Sequence, residues 1–235
     1  MSGARRRARA CAFVLAAVLL AACAATPPPD WELLAHGALR NFENATLRGE
    51  TRIAEAEFER ARAEIVRTGR PDLLARAQLL RCALRVASLE FDDCPGFSAL
   101  AQDADAESRA YAAYLGGHWD ALEPAMLPAQ HRAVVSYRGA PAGALGAIED
   151  PLSRLVAAGV LLRTARIVPA DVAAAVDTAS SQGWRRPLLA WLGVQARRAQ
   201  AAGDAQAAAR IQRRIDLVVD DDRTKGGGPA RQPAH

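Results

Sequence analysis

From about residue 31 to 219, apolar side chains recur every three or four positions and almost nowhere alternate. Leu34, Ala38, Phe42 and Ala45 share one face before Gly49 interrupts. Ala54, Phe58, Ala61 and Ile65 line a second segment, stopped by Gly69 and Pro71. A third runs from Pro71 to Leu89, with Leu73, Ala77, Leu80, Leu84 and Ala87 inward. Such spacing is the signature of helices with one buried stripe. Asp30 is the expected N-cap of the first. Short helices are predicted at Phe97–Gln102, Ala106–Gly116 and Pro128–Tyr137, and longer ones at 150–166, 170–182, 187–202 and 204–219. Short connections make neighbours antiparallel. The expected fold is all-α: helical hairpins in a short solenoid or an irregular bundle.

The ends of the chain break this pattern. Arg5, Arg6, Arg7 and Arg9 precede an uninterrupted apolar run from Cys11 to Ala22. That run is shorter than the roughly 20 residues a permanent membrane span needs, and its flanks match a secretory signal. Its last residues, Leu20-Ala21-Ala22-Cys23, resemble the lipobox of bacterial lipoproteins. The resemblance implies cleavage before Cys23, diacylglyceryl attachment to its thiol and acylation of the new amine. It implies a protein held by lipid at the periplasmic face of the outer membrane, because Ala24 rather than aspartate follows the cysteine. Residues 1–22 are then signal peptide and 23–30 a tether stiffened by Pro27, Pro28 and Pro29. Residues 31–219 form the helical domain, and 220–235 are expected to be a disordered tail.

Processing changes the charge argument. The whole chain has 30 basic and 26 acidic residues, a formal charge of +4. Loss of the four signal arginines removes the excess, and with it any net-charge case for nucleic acid. Cys82 and Cys94 remain, an even pair in an oxidising compartment, and a disulfide is the favoured reading. Closing so short a loop contributes about 3 kcal/mol when unstrained. A metal site is the alternative, although two cysteines without adjacent histidines make a poor zinc set.

Trp31, Leu34, Ala35 and Ala38 have the first-helix spacing of a tetratricopeptide repeat, and Ala54, Phe58 and Ala61 the second-helix spacing. Leu189, Leu192, Gly193 and Ala196, then Ala208 and Ile215, repeat the arrangement, with Gln212 where an aromatic belongs. The chain therefore resembles a divergent tetratricopeptide-like domain at its two ends. Lipoproteins of that layout include pilotins, a component of the outer-membrane β-barrel assembly machine and activators of peptidoglycan synthases. The resemblance implies a scaffold or adaptor with an envelope protein as partner.

No catalytic constellation emerges, and neither a cofactor nor a metal is implied. His36, His118, His131 and His235 do not fall at metal-ligand spacing. His118 with Asp120 reads first as a turn histidine beside a capping aspartate. Ser98 lacks the second glycine of a nucleophile elbow, and Gly226, Gly227 and Gly228 precede no helix that would bind phosphate. Glu57, Arg60 and Glu64 read as an ion-paired, solvated face. Tyr111, Tyr114 and Trp119 cluster around Gly116 and Gly117, and these aromatics and Trp184 read first as core in a domain short of large side chains. The candidate partner contacts, by residue type, are Trp119, Trp184, Arg185 and Arg186, with the arginine pair expected to be exposed. The rival reading is a small-ligand or envelope-polymer-binding protein, or a cryptic hydrolase, with a pocket between helices. A pocket bringing His118 and Asp120 to face Glu123 would favour it, and a continuous groove bearing Arg185 and Arg186 would favour the adaptor.

Overall fold

A computed structural model describes residues 27–119, 122–136 and 144–226, with side chains as far as 220. The signal segment, Cys23, Asp120 and His235 lie outside the described residues. The described chain is all-α. Its helices are α1 (Asp30–Arg48), α2 (Thr51–Val66), α3 (Pro71–Ala87), the single turn α4 (Pro95–Ser98) and α5 (Ala106–Leu115). There follow α6 (Ala129–Ser136), α7 (Pro151–Arg163), α8 (Pro169–Ser181), α9 (Arg185–Ala201) and α10 (Ala205–Gly226). Short 3-10 turns at Pro124–Met126 and Ala144–Ala147 flank α6.

Local chemistry sets the boundaries. Pro71, Pro95, Pro151 and Pro169 open their helices, where a missing N–H costs nothing. Asp105 and Asp150 cap α5 and α7, accepting from the Ser108 and Ser153 amides at 2.6 and 2.7 Å. Gly49, at φ 83°, closes α1 in the left-handed conformation. The amides of Gly49 and Glu50 bond back to Thr46 and Ala45 at 3.0 and 2.9 Å.

The helices pack around two cores joined through α3. The first lies between α1 and α2, where the Phe42 and Phe58 rings stand 4.9 Å apart among Ala35, Ala45, Ala54 and Ile65. Ala77 and Leu84 of α3 belong to it. Ala75, Leu79, Ala83 and Val86 of the same helix belong to the second core, with Leu155, Val156 and Val160 of α7, Val172 and Val176 of α8, and Trp191 and Leu192 of α9. The α3–α7 crossing depends on a glycine. A Cβ on Gly159 would sit 2.3 Å from the Val86 carbonyl oxygen. Trp191, fully buried, donates its indole N–H to the Ala87 carbonyl at 3.1 Å.

Several expectations need correction. Leu34 is outside the buried stripe of α1, which runs through Ala35, Ala38, Phe42 and Ala45. At 100° per residue Leu34 falls on the flank of that stripe. Asp30 is the first helical residue, and Pro29 occupies the cap position. The Phe97–Gln102 helix shrinks to Pro95–Ser98, after which Leu100 and Asp103 make turn bonds to Phe97 and Leu100 at 2.8 and 3.0 Å. The last helix runs on to Gly226, so the tail does not begin at 220. Extending a formed helix fixes one residue per new bond, whereas starting one is costly. In an ideal solenoid each repeat touches only its neighbours; here α9 returns to pack on α1.

Candidate functional site

The residues singled out in the sequence fall at three places. The first is a seam between the two ends of the chain. Trp184 is half-buried and packs against both cores. Arg185 Nε donates to the Arg48 carbonyl at 3.3 Å, beside Gly49, where a Cβ would lie 3.0 Å from Arg185 Nη2. Arg186 donates to Glu90 at 3.0 Å and to the Thr51 hydroxyl at 2.7 Å. The expected exposed arginine pair is therefore half-buried. Both guanidinium groups fasten the start of α9 to the first hairpin, because that turn abuts the α1–α2 turn.

The second place is the Cys82–Cys94 disulfide, whose Cα atoms are 5.7 Å apart. It ties α3 to the loop before α4 and borders a cleft of about 460 Å³ with Phe42, Phe97, Arg81, Arg85 and Arg186. Most charges there are already matched. Arg81 pairs with Glu55 and stacks 4.3 Å above the Phe58 ring, and Arg85 pairs with Asp92 and, at 3.6 Å, with Glu90. Cys82, Asp92 and Cys94 bring potential metal ligand atoms within 4.8 Å of one another. With their sulfurs bonded together, neither cysteine is a thiolate ligand. Ser98 donates to the Asp93 and Cys94 carbonyls at 3.0 and 3.2 Å, a turn contact rather than a poised nucleophile.

The third place is the most open. The C-terminal ends of α5 and α7 lean together where Gly117, at φ 76°, brings its α-carbon against Thr164; a Cβ there would lie 3.0 Å from Thr164 Cγ2. The chain leaves that turn through exposed His118 and buried Trp119. Trp119 stacks on Tyr114, 6.4 Å between centroids, and carries the Arg166 guanidinium 4.2 Å above its ring. Arg166 reaches this position because Ala165, at φ 55°, turns the chain back after α7. The Trp119 indole N–H is buried without an acceptor among the described residues. Arg109, His118, Glu123, Arg163 and Arg166 surround this tryptophan in a cleft of about 840 Å³. Arg109 and Arg163 are tied back, the former to the Ala104 carbonyl and the latter to the Asp92 carbonyl at 2.9 Å. His118 and Glu123 do line one cleft, and Asp120 lies outside the described residues.

Behind Trp119 lies a buried cluster in which His131, which no local sequence pattern announces, joins Tyr111 and Tyr114. His131 is 1% exposed, with its ring 4.9 Å from Tyr114 and 5.7 Å from Tyr111. Burial lowers its pKa to about 4, against a smaller opposing effect of Asp150. The Tyr114 hydroxyl and His131 Nδ1 share a hydrogen bond of 3.2 Å. Burial raises the pKa of both tyrosines, with Asp150 adding to it at Tyr111 and Tyr111 adding to it at Tyr114. Burial thus favours the uncharged form of all three side chains at neutral pH. His36, by contrast, is exposed beside Glu32, 3.9 Å away. No helix among the described residues is long and apolar enough to cross a membrane. No family model, curated protein or solved structure matches the chain.

Proposed function

We propose that the mature chain is an envelope lipoprotein, anchored through acylated Cys23, that acts as an adaptor by gripping a segment of a partner protein in the Trp119–Arg166 cleft. The observation carrying this reading is the stacked Trp119–Arg166 pair facing a cleft of about 840 Å³. Trp and Arg are the side chains that most often dominate interface energy. Here the tryptophan is already rigid, so little side-chain entropy is lost on docking. Arg166 contributes a planar cation that suits a carboxylate on the partner. The signal pattern and the lipobox residues support the anchor.

The test is affinity capture of the acylated protein from detergent-solubilised envelopes, with masses read for bait and companions, beside an Arg166→Glu variant. A bait acylated at Cys23, with one envelope complex retained by the wild type and lost by the variant, is the expected outcome. A complex retained equally by both would overturn the cleft as its site, and an unacylated bait would overturn the anchor. The cleft volume also lies within the roughly 300–1,000 Å³ of small-molecule sites, which favours the ligand-binding rival as a second reading. A thermal shift produced by envelope glycan fragments, absent in Arg166→Glu, would select that reading over the adaptor.

A further inference from the structure

The open end of the first hairpin presents a different surface. Asn41 Nδ2 donates to Glu57 at 3.3 Å, in keeping with the antiparallel register of α1 and α2. The start of α1 and the end of α2 therefore lie side by side. Leu33 and Leu34 share a groove of about 460 Å³ with Gly37, Ala38, Ala63 and Glu64. Leu33 is 55% exposed, Leu34 57% and Val66, at the end of α2, 51%. A single exposed leucine is ordinary. Three exposed aliphatic side chains and half-buried Trp31 lie at one hairpin end, Leu33 and Leu34 in the groove and Val66 outside it.

The charges at this end are paired only in part. Glu64 pairs with Arg67, and Asp72 with Arg70 at 2.7 Å. Asp30 and Glu32, in the first turn of α1, leave this end with an excess of acidic groups, so attraction to a bilayer here rests on the apolar side chains alone. Its position along the chain puts it close to the expected anchor. Leu33 is ten residues from Cys23, and Pro29, at φ −59° and ψ 149°, has the extended polyproline conformation. A chain of that length reaches at most about 35 Å when fully extended, and less once the helix begins.

We infer that the Leu33–Leu34–Val66 end of the first hairpin rests on the lipid surface to which Cys23 is anchored, holding the domain in one orientation. The inference depends on the anchoring reading above. Apolar side chains at headgroup level add to the acyl anchor, as in interfacial helices, and an indole is suited to the same boundary. The Trp119–Arg166 cleft, built on α5 and α7 rather than on this hairpin, stays free for its partner.

The test uses the full acylated chain in vesicles of phosphatidylethanolamine with a minority of phosphatidylglycerol. An environment-sensitive fluorophore is attached at Leu34→Cys in one sample and at Leu217→Cys in another; Leu217, on α10, is 73% exposed. Lipids bearing nitroxides near the headgroup are the quenchers. Quenching at position 34 should exceed that at 217 by about threefold or more, and Leu33→Ser with Val66→Ser should remove the difference. Equal quenching on a bait whose mass shows acylated Cys23 would overturn the membrane contact and leave the anchor standing. An unacylated mass would overturn the anchor itself. Cross-linking between copies through position 34, without quenching, would assign the surface to a second molecule and also overturn the inference.

Discussion

The α1–α2 hairpin and the bundle around α3 and α7 are both helix packed on helix, but they are held by different means. The hairpin closes on alanines and one aromatic pair, Phe42 with Phe58, along a single stripe of each helix. Its outer face is short-range ion pairs, Arg60 with Glu57 at 2.7 Å and Arg62 with Glu59 at 3.2 Å, which are worth little in water. In the bundle, α3 is buried on two sides, the backbone of α7 touches Val86, and polar groups are enclosed: Trp191 on the Ala87 carbonyl and Tyr114 on His131. A simple stripe needs only apolar spacing, and many sequences supply it. A crowded crossing with internal hydrogen bonds needs particular residues at particular places, and so it has few tolerated substitutions.

The largest expected effect tests that contrast directly. Trp191→Ala removes the biggest fully buried side chain and strands the Ala87 carbonyl; it should cost about 4 kcal/mol. Amide protection should fall throughout α3 and α7–α9. Phe58→Ala should cost about 3 kcal/mol, with its loss of protection concentrated in α1 and α2. Hydrogen exchange on both variants is the measurement. If Phe58→Ala lowers protection equally in α7 and α8, the two regions unfold as one unit and the contrast does not extend to cooperativity.

The next effect is confined to the bundle. His131 has a folded pKa of about 4, below the ordinary histidine value of about 6.5, so the unfolded chain takes up the proton first. Stability from this site is complete above about pH 6.5 and is lost progressively as pH falls towards 4, by roughly 3 kcal/mol in all. Urea midpoints at pH 7 and pH 5 should drop more in wild type than in His131→Phe. Parallel drops would show that burial of the imidazole is not what couples the bundle to pH. Exchange in the hairpin, which holds no buried histidine, should respond less than exchange in α6 and α7.

The two regions were also unequally legible from sequence. Ala54, Phe58, Ala61 and Ile65 were placed inward by period alone, and all four are buried. One stripe on one helix is what a periodicity argument can detect. Periodicity marks only one stripe of α3, because the second, through Ala75, Leu79, Ala83 and Val86, gains its meaning only from the helices packed on it. His131 and Tyr114 are 17 residues apart, and nothing in either local segment announces the pair. The Trp119–Arg166 stack was half visible: Trp119 stood out by type, but Arg166 is an ordinary arginine until Ala165 turns the chain. Short-range signals located the aromatic residues, and long-range contacts decided which of them face a cleft.

The smallest expected effect lies at the join. Arg186 spans the regions by reaching Glu90 after α3 and Thr51 at the start of α2. The pairs are half-buried, so Arg186→Ala should cost only about 1 kcal/mol. Its value lies in where the loss appears. If the hairpin is a module held to the bundle by this seam, protection should fall in α1 and α2, while the difference between pH 7 and pH 5 midpoints that belongs to His131 stays unchanged. If protection falls first in α9 instead, Arg186 serves the helix that carries it, and the hairpin is retained by its shared core with Ala77 and Leu84 of α3. Phe58→Ala combined with Arg186→Ala separates these cases. A seam acting on the hairpin gives losses that differ from the sum of the single variants, whereas independent roles give simple addition, because the ring of Phe58 and the guanidinium of Arg186 then share no structural unit.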